Sequence, residues 1–107
     1  MDGVEWMKQG DEVEIAWGTT PEGEKRVRFS IPVRKEVVQW GMTADEAIKV
    51  ADIICGAANK KARMAQTTLV LKHPDEPERQ IGISCTNKTL IKIGDDLRSM
   101  ALRSKGH

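Results

Sequence analysis

The fold of this chain is decided by residues 42–66, MTADEAIKVADIICGAANKKARMAQ, the longest stretch with a helical pattern. Thr43 is suited to cap the start of a helix, and Glu46, three residues later, is suited to bond back to the same turn. Apolar residues then recur at the spacing of one helical face, at Ala47, Val50, Ala51, Ile54, Ala58, Ala62 and Ala65. We predict one long helix over residues 42–66.

Further apolar residues widen this stripe on both flanks. Ile53, Ala57 and Met64 lie on one side of it, and Ile48 with Cys55 lies on the other. A helix that rests on a single layer needs a narrower apolar face than this. The helix is therefore expected to be covered on two sides, by its own sheets and by neighbouring protein.

Two strands precede the helix. Residues 12–17 and 25–31 alternate apolar and polar side chains with the two-residue period of a half-buried strand. Residues 20–23, TPEG, lie between them and supply the proline and glycine of a turn. The pattern predicts a β-hairpin.

The segment after the hairpin is ambiguous. Val33, Val37 and Trp40 recur at helical spacing, and Gly41 is suited to end a helix, which predicts a short helix here. Valines are indifferent helix formers, so an extension of the strand is the alternative.

Three short alternating runs follow the long helix, over residues 67–72, 80–85 and 89–93. Joined by short turns, they place every large apolar residue on one face, with Leu71 opposite Ile81. Gly94 would then end the last strand, and Asp95 would cap a short C-terminal helix.

The whole pattern predicts a single α+β domain over residues 1–107. We expect an antiparallel sheet, made of an N-terminal hairpin and a C-terminal three-stranded meander, packed on one long central helix with a short C-terminal helix. A length of 107 residues with 39% hydrophobic side chains is sufficient for one small core.

Charge is unevenly distributed along the sequence. The formal net charge is +1, but residues 1–24 carry seven acids against Lys8, net −6, so the remainder carries +7. The molecule is electrically polarised if the fold keeps these two parts apart.

The two cysteines, Cys55 and Cys85, fall on predicted apolar faces and form no C-x-x-C motif. They are typical of buried, reduced thiols, which favours a cytoplasmic location. No apolar run approaches the length that spans a membrane, so we expect no membrane partner.

Residues that could support catalysis are few. The histidines are His73, in an acidic loop where a surface imidazole is expected, and His107. A metal site built on His73 and Asp75 would lack further ligands. No phosphate-binding, dinucleotide-binding or nucleophile-elbow motif occurs. We therefore expect no enzyme, no cofactor and no metal.

Protein association has the strongest physical motive. Gly56 within a helix costs about 1 kcal/mol relative to alanine, and a close contact is one reason to tolerate it. The predicted interface residues are Trp6, Trp40, Ile48, Ile53, Gly56, Ala57 and Met64. They suggest a small non-enzymatic interaction module that forms homo-oligomers and binds a larger protein as an inhibitor, adaptor or assembly component. Small accessory and virus-encoded regulators share this profile.

The alternative function is nucleic-acid binding. The basic residues that would carry it are Lys60, Lys61, Arg63, Arg34 and Lys35. Single strands also need exposed aromatic rings for stacking, and Trp6 and Trp40 are the candidates.

Overall fold

The computed structural model describes residues 3–7, 12–60 and 65–106. Within them the chain is α+β, as predicted, with two helices and two three-stranded sheets. The elements in chain order are β1 (Val4–Trp6), β2 (Glu14–Thr19), β3 (Lys25–Pro32), β4 (Val37–Met42), α1 (Ala44–Lys60), β5 (Gln66–Lys72), β6 (Gln80–Thr86) and α2 (Asn87–Lys105).

The first sheet has the order β2-β3-β4 and is antiparallel throughout. It contains the predicted hairpin, β2–β3. The predicted short helix after the hairpin is wrong, and the alternative of a strand is correct, because β4 pairs along the whole of β3. This register sets Trp40 opposite Phe29 and Val38 opposite Ile31, and all four side chains are buried. Burial on a sheet therefore decides the conformation of a segment whose local pattern is ambiguous.

The second sheet has the order β1-β6-β5. The antiparallel pair β5–β6 has the predicted register, with Leu71 opposite Ile81. The short strand β1 adds to the other side of β6 in parallel. The next residue, Met7, donates its N–H to the carbonyl of Gly82 at 2.8 Å and forms an isolated bridge with Val33. Met7 thus joins the two sheets.

The predicted third strand of the meander, over residues 89–93, is wrong. These residues belong to α2, whose start is capped by Thr86, which accepts a hydrogen bond from the Thr89 N–H at 3.2 Å. The C-terminal helix is therefore not short but 19 residues long. Leu90, Ile93 and Leu97 share the buried face of that helix, so helical packing outweighs the β-propensity of a threonine- and isoleucine-rich run.

The central helix α1 begins as predicted. The Thr43 N–H donates to Glu46 Oε1 at 2.9 Å, and the Glu46 N–H donates to Thr43 Oγ1 at 3.2 Å, which is a complete capping box. The predicted extent over residues 42–66 is wrong at both ends, because Met42 ends β4 and Gln66 begins β5.

The two helices pack side by side and antiparallel. Asp45 near the start of α1 pairs with Lys105 at the end of α2 at 2.7 Å, and Asp52 pairs with Arg98 at 2.5 Å. The second helix therefore covers one flank of α1, which the sequence analysis had assigned to neighbouring protein. Buried side chains of both sheets and both helices form one hydrophobic cluster.

The acidic N-terminal part is interleaved with the basic remainder. Glu5 pairs with Arg79 at 2.5 Å, and Glu24 pairs with Arg26 at 2.6 Å. These contacts neutralise part of the charge asymmetry that the sequence shows.

Candidate interaction surfaces

The predicted interface residues do not form one surface. Trp6 and Ile53 are exposed, at 47% and 56% of their surface. Trp40 is only 4% exposed, so its predicted role as a surface anchor is wrong. Its ring packs edge-to-face on Phe29 at 5.3 Å and against His73 at 5.1 Å.

The remaining predicted interface residues lie on α1 or beyond it. Ile48 and Ala57 are half-buried against the core. A Cβ built on Gly56 would meet nothing within 4 Å, so this glycine does not mark a close helix contact. Met64 falls outside the described residues, as do the predicted basic residues Lys61 and Arg63.

Ile53 belongs to a groove of about 400 Å³, which we call the β4–β5 groove. The apolar residues along it are Trp40, Met42, Val50, Ile53, Val70, Leu71 and Pro74. Residues of β4, α1 and β5 line this groove, and β4 and β5 belong to different sheets and do not pair with each other. Val70, which the sequence analysis did not select, is 45% exposed here. In the alternating pattern of β5, Val70 lies on the other face of the sheet from Leu69 and Leu71, which are buried. This alternation in the sequence was sufficient to predict that Val70 is exposed.

Strand β5 borders the groove with an open edge. The His73 N–H donates to the Arg79 carbonyl, and the Asn87 N–H donates to the Ala65 carbonyl. In an antiparallel ladder, residues that bond to the neighbouring strand alternate with residues that bond away from it. The odd-numbered residues of β5 therefore bond to β6. The backbone groups directed at the open side are those of Gln66, Thr68, Val70 and Lys72.

The groove carries little charge. Glu46 takes part in the capping box of α1 and accepts a hydrogen bond from the Thr43 backbone N–H. This bond keeps the pKa of the Glu46 carboxyl below its ordinary value. Lys72, at the end of β5, forms no ion pair with another residue in the described part of the chain.

A second concave surface, which we call the Trp6 cleft, has a volume of about 600 Å³. It lies between β1 and the turn that joins β3 to β4. The residues that line it include Val4, Trp6, Val33, Arg34, Lys35 and Arg79. Two of the predicted basic residues, Arg34 and Lys35, are thus brought beside an exposed tryptophan. Lys60, at the end of α1, does not line this cleft.

Arg79 organises one wall of the Trp6 cleft. Its guanidinium donates to Glu5 Oε2 at 2.5 Å and to Glu5 Oε1 at 2.8 Å, and it also donates to Glu36. The hydrogen bond from Arg79 lowers the pKa of Glu5, and the two carboxylates raise the pKa of Arg79. No local pattern in the sequence indicates this cluster, because its members are 31 to 74 residues apart in the chain.

His73, Cys55 and Cys85, which were considered for catalysis, line neither surface. His73 is 5% exposed, so its predicted surface position is wrong, and its Nδ1 accepts a hydrogen bond from the Asp75 N–H at 3.1 Å. Cys55 and Cys85 are free thiols, and burial raises the pKa of Cys85. Within residues 3–7, 12–60 and 65–106, no three His, Cys, Asp or Glu side chains are grouped so that they could hold a metal ion.

In the same described ranges, neither helix has the length and apolar character that a membrane span requires. Comparisons of the chain with protein-family models, curated proteins and solved structures find no match.

Proposed function

We propose that this protein is a small non-enzymatic interaction module that binds an extended segment of a partner protein along β5. Such a module would act as an inhibitor, adaptor or assembly component. The observation that carries the proposal is the open edge of β5 beside an apolar groove, with Ile53 and Val70 exposed on its two sides.

An added strand fits the hydrogen-bonding state of this edge. Four residues of β5 direct N–H and C=O groups away from β6, and no strand in the described part of the chain pairs with them. An edge of this kind is a template for a further strand, which would lie about 4.8 Å from β5. Backbone bonds would supply affinity, and alternate side chains would supply specificity.

The groove also defines the chemistry of the occupant. Alternate side chains of the added strand would face Val50 and Ile53 of α1, so they must be apolar to cover them. Lys72 has no ionic partner among the described residues and favours an acidic residue near that end of the segment. The expected ligand is therefore an extended segment with alternating apolar residues and an acid at one end.

Peptides selected from a random library of about seven residues, the length of one strand, test the proposal. Thr68→Pro removes an N–H that points to the open edge and leaves the backbone bonds between β5 and β6 in place. It also removes the hydrogen bond between the Thr68 and Ser84 hydroxyl groups, so the fold of the variant is checked by circular dichroism. We expect the substitution to weaken binding of the selected peptides at least about fivefold, since the proline also obstructs the added strand. Gln39→Pro is the matched control, because Gln39 directs its N–H away from β3 on the edge of β4.

A second pair of variants tests the apolar wall. Ile53→Lys should abolish binding, whereas Leu102→Lys on α2 should not, although both side chains are 56% exposed. Equal loss in the two variants, or loss in Gln39→Pro but not in Thr68→Pro, would contradict the proposed site.

Homo-oligomerisation stays a prediction, and light scattering over a range of concentrations measures it. A dimer that persists in Thr68→Pro leaves the β5 edge free for a partner. A dimer that this substitution abolishes would assign the edge to a second copy and overturn the proposed ligand.

A further inference from the structure

We infer that the Trp6 cleft binds single-stranded nucleic acid, with one base stacked on the Trp6 indole and neighbouring phosphates bound by Arg34 and Lys35. The cleft shares no lining residue with the β4–β5 groove. The inference therefore does not depend on the proposed function, and the two can fail separately.

The indole of Trp6 forms a supported platform. Its ring lies directly over Gly82, the residue that pairs with it on β6, and a Cβ built on Gly82 would overlap the ring. The backbone of β6 thus supports the tryptophan from below, while 47% of its surface stays exposed. A rigid, exposed aromatic ring is the feature on which unpaired bases stack.

The cations beside this platform are available. Both carboxylates of the cleft, Glu5 and Glu36, are bound by Arg79. Arg34 and Lys35 are exposed at the two-residue turn between β3 and β4, and neither forms an ion pair with another described residue. The cleft therefore presents two free positive charges next to an aromatic face, the combination that binds phosphate and base together.

A single strand fits this surface better than a duplex. In a duplex the bases are stacked on each other, so only phosphates would reach the cleft and the Trp6 contact would be lost. Two phosphate contacts on a single strand predict a slope of about −1.4 for the logarithm of the binding constant against the logarithm of salt concentration.

The probe is fluorescein-labelled oligothymidylate of about 12 nucleotides, measured by anisotropy at low salt, with a duplex of equal length alongside. Trp6→Leu should weaken binding about tenfold or more, because it removes the stacking surface, and Trp6→Phe should retain part of the affinity. Binding should also quench tryptophan fluorescence in the wild type.

The matched control tests whether the charges act at this site. The double variant Arg34→Gln/Lys35→Gln lowers the net charge of the protein by two. The double variant Lys60→Gln/Lys88→Gln lowers it by the same amount, so the two variants differ only in where the charges are removed. We expect a steep loss of binding in the first pair and little change in the second. Thr68→Pro should leave the affinity for the oligonucleotide unchanged.

The inference would be overturned by no binding to the single strand at low salt, by no effect of Trp6→Leu in a variant that still folds by circular dichroism, or by equal losses in the two charge-matched pairs. Tighter binding to the duplex than to the single strand would also overturn it.

Discussion

Gly94 of α2 lies directly against Cys55 of α1, so that a Cβ atom built on Gly94 would overlap the Cys55 Sγ atom. The same Cβ would lie 3.3 Å from the Ala51 carbonyl oxygen. Glycine at this position lets the two helices approach closely. The close contact that the sequence analysis expected at Gly56 is therefore made from the other helix.

The two helical glycines should respond in opposite directions to the same substitution. Gly94→Ala should lower the free energy of unfolding by about 1–3 kcal/mol, because the added methyl group overpacks the helix interface. Gly56→Ala should raise it by about 0.5–1 kcal/mol, since open space surrounds the site and alanine favours the helix. Urea denaturation measures both.

A double variant separates overpacking from other effects of Gly94→Ala. Adding Cys55→Ala removes the Sγ atom and should recover part of the lost stability. If Gly94→Ala proved as stabilising as Gly56→Ala, the helices would not approach at this residue.

The capping box should make α1 sensitive to acid. The Thr43 backbone N–H lowers the pKa of Glu46 below its ordinary value of 4.5. A carboxyl whose pKa is lowered in the folded state stabilises the fold above its unfolded pKa, and this stability is lost as the pH falls through the folded value. Glu46→Gln keeps an oxygen that can accept the hydrogen bond from the Thr43 N–H but does not titrate. The urea midpoint of this variant should therefore fall less between neutral and acidic pH than that of the wild type.

Thr43→Ala removes the other half of the box and should cost about 0.5–2 kcal/mol at neutral pH. A Glu46→Gln variant with the same loss of stability below pH 4.5 as the wild type would show that Glu46 does not supply the acid sensitivity.

Arg79 should stabilise the fold at neutral pH and less so in acid. Arg79→Gln leaves the Glu5 and Glu36 carboxylates close together without a cation, and we expect a loss of about 1 kcal/mol at pH 7 because the site is partly exposed. The pKa of Glu5 is lowered in the wild type, so the wild-type advantage is present above the unfolded pKa of Glu5 and disappears as that carboxyl protonates.

Arg28→Gln is the control for Arg79→Gln, since it removes the same charge from an exposed position on β3 and should change stability by less than about 0.5 kcal/mol. If the difference in the free energy of unfolding between wild type and Arg79→Gln grew in acid, protonation of Glu5 would not be linked to stability in the expected way.

Trp40 should act mainly on stability, because only 4% of its surface is exposed, although its ring borders the β4–β5 groove. Trp40→Ala should cost about 3–5 kcal/mol, as expected for a large buried ring. Its indole N–H is buried and has no hydrogen-bond acceptor among the described residues. Trp40→Phe removes that unpaired donor and should therefore cost much less than Trp40→Ala, which urea denaturation would show.

The sequence was sufficient to predict those features whose local residue pattern is compatible with only one structure. The capping box of Thr43 and Glu46 and the register of Leu71 with Ile81 are both confirmed. Each depends on residues a few positions apart or on two clear strand patterns.

The error at α2 has a specific physical origin. Leu90, Ile93 and Leu97 follow a helical period, but Ile91 and Ile93 also alternate as in a strand, and a window of five residues fits both. The sequence pattern predicts that Gly94 ends a strand, whereas in the structure it provides room for Cys55. That role depends on a residue 39 positions earlier, which no local pattern reports.

The candidate surfaces were predictable only in part. Ile53 and Trp6 were selected from the sequence and are exposed. Trp40 is not distinguishable from them in the sequence, because its spacing suits both a helix and a strand, and it is buried by contacts with the distant residues Phe29 and His73. Arg34 and Lys35 were selected as basic residues, but their position beside Trp6 depends on β1 reaching the edge of β6.

The backbone of Met7 carries a mechanical consequence. This residue bonds to Gly82 in one sheet and bridges Val33 in the other. Tension applied to the chain ahead of β1 would load the three pairs of β1 with β6 first and would reach the other sheet through Met7. Peeling β1 away would then break this backbone link between the two sheets and at the same moment remove the tryptophan from its glycine support.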